Sequence, residues 1–180
     1  VAMTGASGAG KSSIANELLA RGFAVQMEVG RQIVSEQIAT SSTNTPFQNA
    51  VGFRDLLFVR SVAAYDRWIQ HKAPVVFFDR TFIEALAFSH IIGEPISTSM
   101  LHEAQKRSFH PVAFVCSPWQ EIYRKDNERS HDFEFAKRDY DANCKAYSNA
   151  GLSVPLKSAL ILSWRIWLFS ALQNGLPVQR

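Results

Sequence analysis

Short β-branched or aromatic runs alternate with longer helix-patterned segments along the chain, the signature of a sheet whose parallel strands are joined by crossover helices. Val1–Thr4 reads as the end of a first strand and Lys11–Arg21 as the helix after it, with Phe23–Met27 as a second strand. Gly30–Ala39 follows as a helix, and a Ser/Thr/Asn-rich loop over Thr40–Thr45 ends at Pro46. Asn49–Lys72 is a long helix with Leu56, Val59, Ala63 and the Trp68/Ile69 pair near one face, and its aromatic residues are expected in the core. After Pro74, the run Val75–Asp79 is too short for a helix and apolar enough for a strand buried on both faces. Helices are expected over Thr81–Ile91 and Ser97–Arg107, and a further strand over Val112–Val115. Pro118 is placed to open a helix. The polar run Arg124–His131 then leads into a helix over Asp132–Asn149. No repeat or linker interrupts this order, so residues 1–180 read as one domain.

Composition narrows the class. The 180 residues are 47% hydrophobic and 19% charged, with 13 Phe and 4 Trp, which excludes disorder, collagen-like repeats and coiled coil. Nineteen basic against sixteen acidic residues leave +3, compatible with a small anionic ligand and weak support for nucleic-acid binding; none is expected. Cys116 and Cys144 have no paired spacing and read as reduced thiols, which points to the cytoplasm. No apolar run of about eighteen residues occurs, so neither a membrane span nor a secretory signal is expected. Because the chain opens at Val1 rather than Met, a few residues are expected to precede it.

The strongest chemical signal is Gly5-Ala6-Ser7-Gly8-Ala9-Gly10-Lys11-Ser12, which fits G-x-x-x-x-G-K-[ST] at every fixed position, between a strand and a helix. Glycines let the backbone turn its N–H groups inward, and the helix start adds its positive end. Lys11 can reach β- and γ-phosphates, and the Ser12 hydroxyl can ligate Mg²⁺. Asp79 closes a strand, where a carboxylate suits the metal of a nucleotide; it could equally cap the next helix. Arg80 could hold a phosphate or substrate anion, or form an ion pair.

Glu28 lies just past the second strand, on the same sheet edge. It could act as general base on an acceptor hydroxyl, bind that hydroxyl, or form with Arg31 a surface pair that starts a helix. Arg31 could bind substrate or neutralise Glu28. In the run Arg124-Lys125-Asp126-Asn127-Glu128-Arg129, Arg124 or Arg129 could reach phosphate from a lid, although mixed signs also suit a solvated face. The five histidines show no metal-ligand spacing.

The segments TGASGAGKSS, MEVGRQIVSEQ, VFFDRTFIEALAFSHIIGEP and PWQEIYRKDNERSHDF, in this order, resemble a bacterial family of phosphate-loop ATPases labelled AAA domain. That family is similar to the nicotinamide riboside kinase half of bacterial NadR proteins and, more distantly, to nucleoside and nucleotide kinases. The resemblance covers about residues 1–150. It implies a three-layer α/β P-loop NTPase fold with a five-stranded parallel sheet in order 2-3-1-4-5, ATP with Mg²⁺ as ligand, and an arginine-bearing lid. By the same resemblance, residues Gly5 to Ser13 hold phosphates, Asp79 and Arg80 form the strand-end metal and phosphate motif, and Arg129 belongs to the lid. Glu28 falls where nucleoside kinases place their catalytic carboxylate. The family specifies no physiological acceptor for most members.

The last thirty residues depart from that pattern: Gly151–Arg180 has no acidic residue. Leu152–Leu156 is expected as a final strand. Ala159–Leu172 is expected as a helix apolar almost all round, which leaves it buried, a homo-oligomer contact, or an altered chain end. Two functions remain: a kinase phosphorylating a small hydroxylated acceptor, and a nucleotide-dependent ATPase switch acting on a protein partner. A GTPase is excluded because no Asn-Lys-x-Asp occurs. An AAA+ motor would carry Asp-Glu at the strand end, where this chain has Asp79-Arg80, and would need a second helical domain.

Overall fold

A computed structural model describes residues 1–121, 123 and 132–152. Among these, ten elements run in the order β1 (Ala2–Gly5), α1 (Lys11–Ala20), β2 (Ala24–Gln26), α2 (Val29–Ala39), α3 (Ala50–Ile69), β3 (Val76–Asp79), α4 (Ile83–Ile92), α5 (Thr98–Gln105), β4 (Phe114–Cys116) and α6 (Phe133–Asn149). The strands pair in parallel in the order β2-β3-β1-β4, with Val25 opposite Phe77, Ala2 opposite Phe78, and Gly5 opposite Cys116. The sheet therefore has four described strands where five were expected. Leu152, where the fifth was to begin, is buried but not in a strand, and the rest of that segment lies outside the described residues. So do Arg124, Arg129 and the expected helix over 159–172.

The strands are nearly continuous apolar runs because helices cover both faces of the sheet. Successive side chains point to opposite faces, so Phe77 and Phe78 enter different cores. Phe77 packs with Met3, Leu18, Val25 and Phe114 on the α1 side. Phe78 joins the larger cluster against α3, α4 and α6, which includes Phe53, Phe58, Tyr65, Phe82 and Tyr147. Tyr65 lies 5.1 Å from the Phe109 ring and donates to the Ser108 carbonyl at 2.6 Å, fixing the chain after α5. Helix starts are marked by side-chain caps: Asn49 accepts from the Gly52 amide, Ser97 from Met100 and Asp132 from Phe135.

Two local expectations are corrected. The buried stripe of α3 is Phe53, Arg54, Leu57, Phe58, Ser61, Ala64 and Tyr65, whereas Val59 is 63% and Ile69 68% exposed. The bulky rings Phe53, Phe58 and Tyr65 set the helix rotation, because their burial outweighs that of the aliphatic residues opposite. Pro118 begins no helix among the described residues; Pro118 and Trp119 are irregular and a turn follows. No described helix is long and apolar enough to cross a membrane.

Candidate functional site

The ends of β1 and β3 and the start of α1 meet at the carboxyl edge of the sheet, where the strand order changes direction at β1. Open α/β sheets bind ligands at such a crevice. Here a cavity of about 400 Å³ opens, its floor made by Ser7, Gly8, Ala9, Gly10, Lys11, Ser12 and Ser13. Gly8 and Gly10 have φ of 78° and 82°, conformations that side chains resist, and Gly10 precedes α1 with no side chain to cap it. The first turn of α1 holds no acidic residue, so its positive end faces the cavity uncompensated. Gly5 and Ala6 lie below the wall rather than on it; Ala6 is fully buried against Ala9, Cys116 and Ala136.

Lys11 is 5% exposed and donates to the Gly5 carbonyl at 3.1 Å and the Ala6 carbonyl at 2.6 Å. Burial pushes its ammonium below the ordinary lysine range, and the nearby Arg80 charge adds to that. A polyanion seated over the loop would offer the ammonium a partner of opposite charge in place of two carbonyls. Ser12 donates to Asp79 Oδ2 at 3.3 Å, which brings together the hydroxyl and the strand-end carboxylate, 67 residues apart. Asp79 is fully buried, and its Oδ1 has no hydrogen-bond partner among the described residues. Burial raises its carboxyl above the usual range, and Glu28 raises it further. An orphaned carboxylate oxygen beside a serine hydroxyl fits a hard cation such as Mg²⁺, which favours oxygen ligands. Asp79 is not the cap of α4, whose N-terminal turn is closed by Thr81 and Glu84.

Arg80 combines a left-handed backbone, φ 66°, with a nearly buried side chain. Its amide donates to the Met3 carbonyl at 2.9 Å, extending the β1–β3 ladder by one bond. Its guanidinium lies 3.3 Å from Glu28 Oε1 and 3.1 Å from Asp139 Oδ2, and it donates to the Gly5 carbonyl at 3.3 Å. Burial works against its charge, but Asp139, Glu28 and Glu84 outweigh burial and raise its pKa. Of the two readings of Arg80, the ion pair is the one formed here. Glu28 sits at the cap position of α2 without capping it, 22% exposed, with Arg31 Nε 3.8 Å from its Oε2. Both lie on the cavity wall, as do Arg80 and Asp139.

Three wall or floor elements escaped the sequence reading. Asp139, on α6, is held by Asn143, whose side-chain amide donates to its Oδ1 at 2.8 Å. Glu84 is 4% exposed, and its Oε2 accepts from the Thr81 amide at 2.7 Å and from the Tyr147 hydroxyl at 2.8 Å. Burial raises the Glu84 carboxyl, opposed by Arg80, and raises the Tyr147 phenol as well. An apolar wall made by Val34, Phe47, Phe53, Leu57 and Phe88 completes the cavity. Thr81 and Glu84 carry the capping spacing that could have been read from the chain; Asp139 and Tyr147 carry no such signal.

A parallel sheet with a glycine-rich loop running from its first strand into a helix, and an aspartate ending the neighbouring strand, defines a P-loop nucleotide-binding domain. The model of the family described as AAA domain matches residues 1–156, and the chain belongs to that family. No curated protein matches the chain.

Proposed function

We propose that the protein is a small-molecule kinase that moves the γ-phosphoryl group of ATP to a hydroxyl of a nucleoside-like metabolite. The observation that carries this reading is the continuity of the cavity: the phosphate loop at one end, the Glu28 carboxylate in the middle and an apolar wall beyond it. A hydrolytic switch needs a place for water; this cavity has room for a second organic molecule.

In this reading the loop from Ser7 to Ser13 receives the phosphates, with Gly5 and Ala6 supporting it from below, and Lys11 turns from the Gly5 and Ala6 carbonyls to the β- and γ-oxygens. Mg²⁺, held by Ser12 Oγ and Asp79 directly or through water, supplies charge neutralisation at those oxygens. Glu28 accepts the proton of the acceptor hydroxyl. The acceptor oxygen then bonds to the γ-phosphorus, the bond from that phosphorus to its bridging oxygen breaks, and ADP leaves. Arg80, tied to Glu28 and Asp139, aims the base; Arg31 screens it at the rim. Arg124 and Arg129 are proposed as lid cations. Catalysis in this scheme is positioning and charge stabilisation, with little covalent chemistry asked of the protein.

The test is a thermal-shift and ATP-consumption screen against nucleosides, nicotinamide riboside and other hydroxylated metabolites. Glu28→Gln is expected to keep Mg-ATP binding and to lose about 10²–10⁴-fold in transfer, the range for a general base. Transfer that survives this change overturns the base assignment. ATP turnover indifferent to every acceptor, but stimulated by a protein partner, would instead favour the ATPase switch.

A further inference from the structure

Given the kinase reading, on which this inference rests, the far half of the cavity says more about the acceptor than that it bears a hydroxyl. Gly30 marks its corner. A Cβ placed there would lie 3.6 Å from Leu57 Cδ1, 3.8 Å from Phe53 Cζ and 3.8 Å from Glu28 Oε1. Carboxylate, aliphatic branch and ring edge therefore converge on one point, kept open because residue 30 has no side chain. Phe53 is 7% exposed, and its ring meets that of Phe88 edge to face, 5.6 Å between centroids at 83°. Phe53 thus holds a fixed surface, and such a wall gains most from a flat, rigid, apolar partner.

Charge sets the second limit. Beyond the phosphate loop the described wall holds two cations, Arg31 and Arg80, against three carboxylic side chains, Glu28, Glu84 and Asp139. Arg80 is shared between Glu28 and Asp139, and Arg31 approaches Glu28. A phosphate on the acceptor would surrender its hydration to a wall already richer in acids than in bases. We propose that the acceptor is an unphosphorylated alcohol carrying a flat apolar ring, a nucleoside or a compound of like shape, selected by the Phe53–Phe88 wall and by the opening at Gly30. A nucleotide is thereby excluded as acceptor.

The experiment measures ADP release with Mg-ATP and, as acceptors, adenosine and uridine, each beside its 5′-monophosphate, together with ribose as the ringless control. At least one nucleoside is expected to exceed both its monophosphate and ribose by tenfold or more in kcat/KM. Gly30→Ala meets its neighbours at ordinary contact distance, so the fold accommodates it, while the added methyl group narrows the corner. It should raise the nucleoside KM several-fold more than it changes the Kd of Mg-ATP. Phe88→Leu, checked for folding by circular dichroism, should erode the preference for nucleoside over ribose. A monophosphate or ribose used as well as the nucleosides, or no nucleoside used by a protein that binds Mg-ATP, overturns the inference and leaves nucleotide binding standing. Failure to bind Mg-ATP overturns the kinase reading and this inference with it.

Discussion

Replacing Gly5 by alanine tests how the phosphate loop is seated. Gly5 ends β1 with φ 117°, and a Cβ built there would fall 2.1 Å from the Cys116 carbonyl oxygen, 2.6 Å from its amide nitrogen and 2.8 Å from its carbonyl carbon. All three are backbone atoms of the paired strand, so no side chain can swing aside. Three costs combine: about 1–3 kcal/mol for a side chain in that backbone region, about 1–3 kcal/mol of overpacking, and about 1 kcal/mol if the 2.9 Å bond from the Ala6 amide to the Cys116 carbonyl is lost. Together they predict destabilisation of roughly 3–6 kcal/mol, a large share of the 5–15 kcal/mol that holds a typical domain. Gly22 supplies the control. It also has positive φ, 84°, but a Cβ there would meet nothing within 4 Å, so Gly22→Ala should cost only about 1–2 kcal/mol. Urea denaturation followed by circular dichroism gives both values. Equal losses at the two positions would show that the close approach of β1 to Cys116 is not what demands glycine at residue 5.

Other outcomes follow from single contacts. Lys11→Ala should remove the stabilisation by Mg-ATP, which for the unaltered protein at a hundred times Kd is about 2.7 kcal/mol; a persisting thermal shift would refute the role given to the ammonium. Tyr147→Phe deletes a hydroxyl 2.8 Å from Glu84 Oε2 and 2.7 Å from Thr81 Oγ1, and should cost about 1–3 kcal/mol in urea denaturation. Glu84 holds its proton more tightly folded than unfolded, because burial raises its carboxyl. The folded state then binds more protons across that window, so this residue's contribution is complete below the ordinary glutamate range and lost as pH rises through the elevated value. Thermal melts of the parent protein against Glu84→Gln should differ in slope across that window, with the parent falling more steeply; parallel curves would refute it.

How much of this was readable from the chain depends on range. The phosphate loop was legible because its requirements are local: glycines where φ is positive at Gly8 and Gly10, then a lysine and a serine opening a helix. Strands were legible as β-branched and aromatic runs, with ends displaced by a residue or two, as at Ala2–Gly5 against the expected Val1–Thr4. The buried face of α3 was not, since apolar residues fill Leu56 through Val59 and periodicity cannot choose among them; ring packing across the sheet does. Asp139 is invisible to spacing rules because it acts from α6, 59 residues after the guanidinium it pairs with. Arg80 was ambiguous for a related reason. Its left-handed backbone, which turns the side chain into the cavity wall, is imposed by the strand end it follows and is not written in its own identity.

The shared guanidinium constrains anyone altering this protein. One arginine is tied to an acid that opens α2 and to another on α6, so neither acid can be judged by itself. Losing Glu28 frees Arg80 to bind Asp139 more closely, and losing Asp139 does the reverse. The double variant should therefore depart from the sum of the single ones, as residues in one ionic network do. Evolution faces the same arithmetic: a new preference gained at one acid arrives with a debt at the other, and successful changes here should come in pairs.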